Sequence, residues 1–522
     1  MVFIERMESV GTRMYAKIRS VGLFGMESYM VEVEADVAGG LPSFDIVGLP
    51  DKSVNEAKNR VRSAIKNSGF DFPPSRITVN LAPADVRKEG SVYDLPMLIA
   101  LLMATRQLSC NAEMCAFLGE LALDGSLRRI TGALPMVICA REHGVRSVFV
   151  PAENSAECAV VRGIDVYPAR SIADVFLHLT GEAPLTAVQP QESADAVSAL
   201  AYPDFRDVKG QLEARRALEV AAAGGHNLLM IGAPGSGKSM LAKRLPSILP
   251  DMTFEESLET TKLYSVAGAL PEGVSLITTR PFRAPHHTVS AAGLSGGGSV
   301  PKPGEISRAH NGVLFLDELP EFSRTAMEIL RQPMEDGRIT ISRVAGSLSF
   351  PCSVMLVAAM NPCPCGFFGH PTRPCTCPAG AAARYLARVS GPVLDRLDIH
   401  IEVPPVDFKK LSDTEKSECS ADIRARVNKA RKAQQKRLAG SGISCNGRMN
   451  AAMTQDLCRP SKDALALLER AFERMGLSAR AYDKILRVAR TVADLEGSET
   501  IEFPHVAEAI QYRSLDRKFW QK

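Results

Sequence analysis

Short runs of apolar residues, each followed within two residues by glycine or a polar residue, recur through the middle of the chain. Residues 228–231, 313–316 and 354–359 are such runs, and none of them contains a charged side chain. Uninterrupted apolar runs of this length are typical of parallel strands that are buried on both faces of a sheet. Because the helix-favouring segment 240–245 lies between two of these runs, the pattern predicts an α/β domain with a parallel sheet.

Strand-like and helix-like stretches also alternate through the first 182 residues. The strand-like stretches are 29–35, 76–81 and 147–151, and the helix-like stretches are 53–68, 95–105 and 134–143. This is again an α/β pattern. Residues 180–201 are rich in Pro, Ala, Ser and Gln without periodic apolar positions, which is typical of a linker.

The last part of the chain has a helical character. Residues 409–438 form a charged helical stretch, and residues 462–496 have the pattern of two amphipathic helices. A chain of 522 residues is also too long for one hydrophobic core. We therefore expect an α/β domain over 1–182, a linker over 183–201, a second α/β domain over 202–407 and a helical domain over 408–522.

Composition narrows the class of protein without identifying it. The chain is 45% hydrophobic and 23% charged, which is typical of a soluble globular protein. It contains no apolar run of the roughly 20 residues that a membrane span needs, and no apolar core of a secretory signal follows Met1. We therefore expect a cytoplasmic protein without a membrane partner. A formal net charge of +3 neither favours nor excludes nucleic acid, because any contact must come from local basic patches.

The segment after the run 228–231 has the pattern of a phosphate-binding loop, since residues 232–239 read GAPGSGKS. Glycines allow successive backbone N–H groups to turn toward an anion, the lysine adds a charge for the β- and γ-phosphates, and the serine hydroxyl can hold Mg²⁺. The pattern predicts binding of ATP or GTP. The residues expected at the nucleotide are Gly232, Pro234, Gly235, Ser236, Gly237, Lys238 and Ser239.

A pair of carboxylates follows the run 313–316. Asp317 lies where the predicted strand ends, and Glu318 comes next. A carboxylate at the tip of a parallel strand beside the phosphate loop can hold Mg²⁺, and the adjacent Glu318 can activate the attacking water. The pair therefore predicts hydrolysis of the nucleotide as well as binding.

Two further segments are predicted to leave the sheet. The glycine-rich stretch 281–299 is too flexible for a core helix. Residues 335–343 place alternating strand residues after an Asp-Gly turn and return through 347–350, which predicts a hairpin. Asn361 follows the run 354–359, at a strand tip where α/β sheets place their ligands.

Several motifs, in this order, are similar to those of one family. Residues 283–287 (RAPHH), 304–307 (GEIS), 312–319 (GVLFLDEL) and 391–398 (GPVLDRLD) resemble the magnesium-chelatase-like branch of the AAA+ ATPases, in the helix-2-insert clade. The resemblance is nearest to the ComM/YifB family and covers nearly the whole chain. It implies an AAA+ P-loop core with a parallel sheet, a Lon-like N-terminal α/β domain of the ribosomal protein S5 domain 2 type, and a C-terminal helical lid.

The family's functional residues carry over to matching positions of this chain. Asn361 resembles the sensor that orients the attacking water. Arg396 resembles the arginine finger that reaches into a neighbouring subunit's site and offsets charge on the transferred phosphoryl group. Arg480 resembles the lid arginine that senses the γ-phosphate. For both arginines a surface salt bridge is the alternative interpretation. An arginine that acts on a neighbour requires a ring, and the resemblance implies a hexamer.

The first domain resembles the catalytic fold of Lon protease, with residues 117–125 as the nearest match. A peptidase of that type needs a serine nucleophile and a lysine base within hydrogen-bond reach. Ser91 lies near the expected position of the nucleophile, whereas residues 131–136, where the lysine should fall, contain none. We therefore expect a scaffold or docking module that lacks the Ser/Lys dyad.

Four of the 12 cysteines form a compact pattern. Cys363 and Cys365 form one pair, and Cys375 and Cys377 form a second pair shortly after it. Four thiolates beside Gly and Pro can close a tetrahedral Zn²⁺ site, but Cys-X-Cys pairs are tighter than the usual Cys-X-X-Cys knuckle. The alternatives are a loop of reduced thiols, or a site in which His370 replaces one sulfur.

Nucleic acid would be contacted by loops that face the channel of a ring. Lys302 just after the glycine-rich stretch, and Arg338 and Arg343 in the hairpin, can contact phosphates without reading sequence; the alternative for the hairpin arginines is a solvated strand face. Phe350 is a weak candidate for stacking on a base. The basic run 424–437 is interpreted as a solvated helix face.

These observations favour an ATP-driven ring motor acting on DNA, resembling the ComM proteins, which promote branch migration during natural transformation. A second hypothesis is a chelatase-type subunit whose ATP turnover drives a partner protein that inserts Mg²⁺ into a porphyrin. A third hypothesis, a protease-like regulator, is disfavoured by the missing dyad. The fusion of a Lon-like domain to the ATPase, together with the four cysteines, favours the first hypothesis over the second.

Overall fold

The computed structural model describes residues 14–189, 202–298, 301–343, 346–370, 372–405, 417–515 and 519. The chain divides into two compact units. The first contains residues up to 197 together with 258–277, and the second contains 198–257 and everything from 278 onward. Helix Phe254–Val266 therefore contributes residues to both units.

The first unit combines short strands with helices, as an α/β pattern predicts. Its strands are β1 (Met14–Phe24), β2 (Glu27–Ala38), β3 (Ser43–Val47), β4 (Arg76–Ala82), β5 (Cys115–Phe117), β6 (Glu120–Leu121), β7 (Leu127–Arg128), β8 (Ser147–Pro151) and β9 (Asp165–Ala169). Its helices are α1 (Lys52–Asn67), α2 (Asp94–Ala104), α3 (Ala133–Glu142), α4 (Ser155–Cys158) and α5 (Ile172–Thr180).

One mixed sheet organises this unit, with the strands in the order β3-β4-β2-β1-β5-β8-β9. Strand β2 pairs antiparallel with both β1 and β4, and the other neighbours in the sheet pair in parallel. Helix α1 illustrates the local physics. Asp51 starts it by accepting a hydrogen bond from the N–H of Val54 at 2.7 Å, and Val54, Ala57, Val61 and Ala64 bury one face at helical spacing.

Residues 258–277 are held in the first unit by hydrogen bonds to their backbone carbonyls. The N–H of Gly132 donates to the carbonyl of Ser265 at 3.0 Å, and the Arg129 guanidinium donates to the carbonyl of Leu270 at 2.7 Å. This segment falls inside the range that the sequence assigns to the second α/β domain, and no local pattern in it signals such packing. The domain boundaries stay a prediction.

The second unit carries the phosphate-loop motif and the C-terminal helices. Its strands are β10 (Leu228–Ile231), β11 (Phe282–Arg283), β12 (Gly296–Gly297), β13 (Lys302–Pro303), β14 (Val313–Leu316), β15 (Arg338–Arg343), β16 (Gly346–Pro351), β17 (Met355–Met360) and β18 (Ile399–Glu402). Its helices are α6 (Leu212–Gly224), α7 (Lys238–Arg244), the first four residues of α8 (Phe254–Val266), α9 (Ala291–Ser295), α10 (Glu305–Arg308), α11 (Arg324–Ile329), α12 (Arg331–Asp336), α13 (Ala381–Leu386), α14 (Gly391–Leu394), α15 (Ser420–Arg437), α16 (Ala451–Leu457), α17 (Lys462–Met475), α18 (Ala479–Glu496) and α19 (Phe503–Gln511).

Five of these strands form a parallel sheet in the order β11-β14-β17-β10-β18. Every residue of β10, β14 and β17 is buried, which agrees with the uninterrupted apolar runs of the sequence. Helices α6 and α18 share the core of this sheet, in which Ala217 and Val488 pack with Leu228 and Val357. The predicted α/β class with a parallel sheet is therefore confirmed.

The predicted hairpin is also confirmed, as the antiparallel pair β15–β16. Ile339 pairs with Phe350 and Ile341 with Leu348, and all four side chains are buried. Phe350 has no exposed surface, so the suggestion that it stacks on a base is wrong. Its position on the inward face of the hairpin, opposite Ile339, explains the burial.

Other sequence predictions have mixed outcomes. The glycine-rich stretch contains the short helix α9, and the described part of the charged stretch 409–438 forms helix α15. Residues 190–201 of the predicted linker and residues 406–416 lie outside the described residues.

The Lon-like character of the first unit and the lid role of the C-terminal helices stay predictions. Within the described ranges, no helix combines the length and the apolar character needed to span a bilayer.

Candidate nucleotide site

The carboxyl ends of three neighbouring strands bring the predicted nucleotide residues together. Strands β14, β17 and β10 are adjacent and parallel, so the segments that follow them emerge at one edge of the sheet. The phosphate loop 232–239 follows β10, Asp317 and Glu318 follow β14, and Asn361 follows β17. This is the edge at which open parallel sheets bind their ligands.

Lys238 is the centre of this edge. Its ammonium donates hydrogen bonds to the carbonyls of Gly232 and Ala233 at 2.8 and 3.0 Å, and to Oδ1 of Asn361 at 3.2 Å. The residue is only 8% exposed. Burial lowers the pKa of Lys238, and the nearby carboxylates of Asp317 and Glu318 oppose that shift. A cation held by neutral oxygens can exchange them for phosphate oxygens when a nucleotide binds.

Ser239 and Asp317 form the second contact of the site. The Ser239 hydroxyl donates to Oδ2 of Asp317 at 2.6 Å, and Oδ1 of the same carboxylate accepts from the backbone N–H of Glu318 at 3.0 Å. A hydroxyl and a carboxylate side by side are the oxygen ligands that Mg²⁺ prefers. The residues present therefore fit a Mg²⁺ ion, which when bound supplies charge neutralisation for the phosphates.

Glu318 stands out by its backbone and by its partner. It has a positive φ of 53°, which is uncommon for a residue with a side chain. Its Oε2 lies 3.3 Å from Nδ1 of His287, whose ring centroid is 4.0 Å from that of His286. His287 belongs to the RAPHH motif, but the sequence did not connect it with Glu318, because 31 positions separate the two residues.

Gln211 supports the phosphate loop from outside and is a second residue that the sequence missed. Its side-chain amide donates to the carbonyls of Ser236 and Pro404, both at 2.9 Å. The loop itself needs glycine at position 237, where φ is +94° at the start of α7. Gln211 lies 25 positions before Ser236, and no motif marks it.

Arg396 is held inside its own subunit. Its guanidinium forms an ion pair with Glu335 and donates from Nη1 to the carbonyl of Pro392 at 2.5 Å. The side chain is 11% exposed. The neighbouring Asp395 lies 3.9 Å from Arg480, so the two predicted arginines belong to one region of the second unit.

Helix α18 holds that region in place. Lys484 follows Arg480 by one helical turn and donates to the carbonyls of Asp395 and Leu397, which flank Arg396. Burial lowers the pKa of Lys484 to about 8, and the carboxylate of Asp398 opposes the shift. The sequence did not single out Lys484 as a functional residue.

The four cysteines converge in the loop that follows Asn361. We refer to residues 362–370 and 372–378 as the cysteine loop. The Sγ atoms of Cys363, Cys365, Cys375 and Cys377 all lie within 4.8 Å of one another. A backbone hydrogen bond from Phe367 is the main cause that lowers the pKa of Cys365 to about 5.

The predicted DNA-contacting residues lie in two places on the second unit. Arg338 is exposed at the start of β15, and Lys302 is exposed in β13. The side chain of Arg343, at the end of β15, lies outside the described residues. Their role in contacting DNA stays a prediction.

In the first unit, Ser91 is not paired with a lysine in the described contacts. Its hydroxyl donates to the carboxylate of Glu120. Lys88 is buried, and its ammonium donates to the backbone carbonyls of Pro83 and Val86. Both side chains thus have local partners, and the scaffold role of this unit stays a prediction.

Comparison with known proteins finds one family along most of the chain. Family models described as "Subunit ChlI of Mg-chelatase", "Magnesium chelatase, subunit ChlI" and "Magnesium chelatase, subunit ChlI C-terminal" match residues 33–154, 204–411 and 417–513. The competence protein ComM of Haemophilus influenzae is 44% identical over 96% of this chain and 98% of its own length. The uncharacterized protein YifB of Escherichia coli is 43% identical over 94% and 96%. A magnesium-chelatase 67 kDa subunit of Chlorobaculum parvum is 30% identical over 30% of this chain and 23% of its own length.

The parallel sheet, the phosphate loop and the matching models define a magnesium-chelatase-like AAA+ ATPase. Membership of that class implies that the protein uses ATP and Mg²⁺. With 44% identity to ComM and 43% to YifB over nearly the whole length, the chain belongs to the ComM/YifB family.

The first prediction concerns Lys238. In Lys238→Ala the buried ammonium that would face the phosphates is gone, so we expect ATP binding to be lost, as measured by titration with a fluorescent ATP analogue. Lys243→Ala is the matched control, because Lys243 is exposed on the same helix α7 and should bind as the parent does. Parent-like affinity in Lys238→Ala would contradict the assignment.

The second prediction separates binding from hydrolysis. Glu318→Gln keeps the shape of the side chain but removes the base, so we expect unchanged ATP affinity and a turnover lower by at least about 100-fold. Glu321→Gln, three positions further along, removes an exposed carboxylate that pairs with Arg388 and should leave turnover unchanged. Equal turnover in Glu318→Gln and the parent would show that another group activates the water.

Proposed function

We propose that this chain is an ATP-hydrolysing ring motor that acts on DNA in the cytoplasm and promotes branch migration during natural transformation. The observation that carries the proposal is its 44% identity to the competence protein ComM over 96% of this chain and 98% of that relative. A match over nearly the whole of both chains supports a shared domain content. The set of hydrolysis residues at one sheet edge supports the ATPase step.

We include a ring in the proposal because the segment that carries Arg396 contacts the helix that carries Arg480. Arg480 contacts Asp395, and Lys484 from the same helix α18 binds the backbone on both sides of Arg396. These contacts link the segment that carries Arg396 to the helix that carries Arg480. We infer that both serve the nucleotide of the neighbouring protomer, in a hexamer, where a guanidinium offsets charge on the transferred phosphoryl group.

The proposed finger must first leave its partner in the same subunit. Arg396 is paired with Glu335 and is almost buried. To serve a neighbour it must exchange the Glu335 carboxylate for a phosphate oxygen. Glu335 lies in the last turn of α12, three positions before the hairpin residue Arg338, so this exchange would connect the finger with the hairpin.

The hairpin is the proposed DNA contact. Arg338 is exposed beside the buried pair Ile339 and Phe350, which gives it a rigid base from which to reach a phosphate. Lys302, exposed in β13, and Arg343 complete the proposed set. Such contacts add affinity that depends on salt and carry no sequence information.

The proposed roles of the remaining parts follow the family resemblance. The first unit is a Lon-like scaffold without peptidase activity, which agrees with the local partners of Ser91 and Lys88. The C-terminal helices act as the lid that carries Arg480. Mg²⁺ at Ser239 and Asp317 serves the nucleotide.

The alternative is a chelatase-type ATPase that remodels a protein partner. The magnesium chelatase models that match residues 204–411 and 417–513 favour it. In that case hydrolysis should respond to a partner protein and not to DNA.

The third prediction tests the DNA part of the proposal. We expect ATP hydrolysis by the parent to rise with single-stranded DNA or a synthetic four-way junction, and the junction to migrate. Arg338→Ala should weaken DNA binding and reduce the salt slope by about 0.7 to 0.9 for one lost phosphate contact. Arg324→Ala, whose side chain is 89% exposed and pairs with Glu328, is the matched control. Failure of both DNAs to stimulate the parent would reject the DNA motor and leave the ATPase intact.

The fourth prediction tests action on a neighbour. Lys238→Ala and Arg396→Ala should each be inactive alone, because one lacks the phosphate-loop lysine and the other lacks the finger. In mixed rings, an Arg396→Ala protomer beside a Lys238→Ala protomer forms one intact site, so mixing should restore hydrolysis. The Lys238→Ala/Arg396→Ala double variant should restore nothing when mixed with either single variant. If mixing restores no hydrolysis although mixed oligomers form, Arg396 acts within its own subunit.

A further inference from the structure

The spacing of the four cysteine sulfurs matches a single tetrahedral metal ion. Cys363 Sγ lies 3.4 Å from Cys365 Sγ and 3.7 Å from Cys375 Sγ, and the last two sulfurs are 3.6 Å apart. Zinc–sulfur bonds of about 2.3 Å in a tetrahedron place the sulfurs about 3.8 Å apart. The fourth sulfur, of Cys377, lies within 4.8 Å of the others.

Backbone groups around the cysteines point to the same chemistry. The N–H of Phe368 donates to the sulfur of Cys363 at 3.3 Å. Cys365 accepts from the backbone of Phe367 and of Thr376, on both sides of the loop. Hydrogen bonds from backbone N–H groups to the ligand atoms orient them and stabilise the thiolate form that binds metal.

The cysteine loop touches the phosphate loop. A methyl group added to the Cα of Gly366 would run into the ring of Pro234, so the two backbones approach as closely as a glycine allows. A small cavity of about 50 Å³ lies beside this contact and is lined by Gly232, Gly366 and Phe368 among others. Asn361, which binds Lys238, comes directly before the cysteine loop.

We propose that the four cysteines bind one Zn²⁺ ion, and that this ion holds the cysteine loop against Pro234 and so keeps the phosphate loop in its binding conformation. The metal is structural, with all four positions filled by thiolates. The second half of the inference rests on the proposed nucleotide site, since it assigns the ion an effect on ATP affinity. By linkage, the nucleotide must in turn strengthen the hold on the ion by the same factor.

The fifth prediction is that full-length protein purified without chelator contains one Zn²⁺ per chain by elemental analysis. Cys375→Ser should lose the ion and bind the fluorescent ATP analogue at least about fivefold more weakly, in the usual range of coupling between linked sites. Cys419→Ser, outside the cysteine loop, should keep both the ion and the affinity. Two results would overturn the metal site. One is a parent protein that contains no stoichiometric zinc, or iron in its place. The other is a Cys375→Ser variant that keeps the zinc.

A pair of glycine variants tests the contact without touching a thiol. Gly366 and Gly369 have φ of +83° and +75°, but a Cβ at 366 meets Pro234 whereas a Cβ at 369 meets nothing within 4 Å. Both alanine variants therefore bear the same backbone strain. Gly366→Ala should keep its zinc and bind ATP more weakly, and Gly369→Ala should keep both. Equal ATP affinity in the two variants would show that the contact does not support the phosphate loop.

Two further measurements separate this inference from the proposed function. Lys238→Ala should keep its zinc although it binds no ATP, because its cysteine loop is intact. In the parent, saturating ATP should slow the release of zinc to a chelator, whereas in Lys238→Ala it should have no effect. If the parent binds no ATP but contains zinc, the nucleotide site fails and the metal site stands; if ATP binds but does not slow zinc release, the linkage fails.

Discussion

A buried lysine charge held only by neutral oxygens is the constraint on which the nucleotide edge depends. Lys238 binds two carbonyls of its own loop and the Asn361 amide from the next strand, so the ammonium ties together segments that are 123 positions apart. A buried cation without a hydrogen-bonded carboxylate is under-compensated. Binding of a polyanion removes that deficit, and the edge is therefore organised for a triphosphate before one arrives.

Strand β10 connects this edge with the helices at the end of the chain. Its carboxyl end leads into the phosphate loop. At its amino end, the N–H of Asn227 donates to the carboxylate of Asp398 at 3.1 Å. Burial alone raises the pKa of Asp398, but a hydrogen bond with His226 and the charges of Lys484 and Arg487 hold that pKa well below its usual range. Strand β10 thus connects the nucleotide site with helix α18, which positions the Arg396 segment. The strand and the helix cannot shift independently without breaking the buried charge cluster around Asp398.

The sequence predicted what depends on local pattern and missed what depends on contacts between distant residues. Apolar runs fixed the parallel strands, and the GAPGSGKS and Asp-Glu motifs fixed the residues at the nucleotide edge. The contacts of His287 with Glu318 and of Glu335 with Arg396 could not be predicted from local pattern, because they form only when the chain folds. The run 424–437 shows the same limit. Its charge pattern suggested a solvated helix face. Arg431 in this run is instead buried and donates to the carbonyls of Ala222 and Ala223 near the end of α6.

The left-handed backbone conformation of Glu318 lowers the stability of the fold, whereas the Glu318 side chain is the one proposed for hydrolysis. Holding a residue with a side chain in that region costs about 1 kcal/mol or more, and the residue held there is the one that we propose as the base. Glycine or asparagine would relax the turn and make the protein harder to unfold, yet either would remove the carboxylate that we propose as the base. Selection for stability alone would therefore replace the residue at position 318 and abolish the proposed hydrolysis.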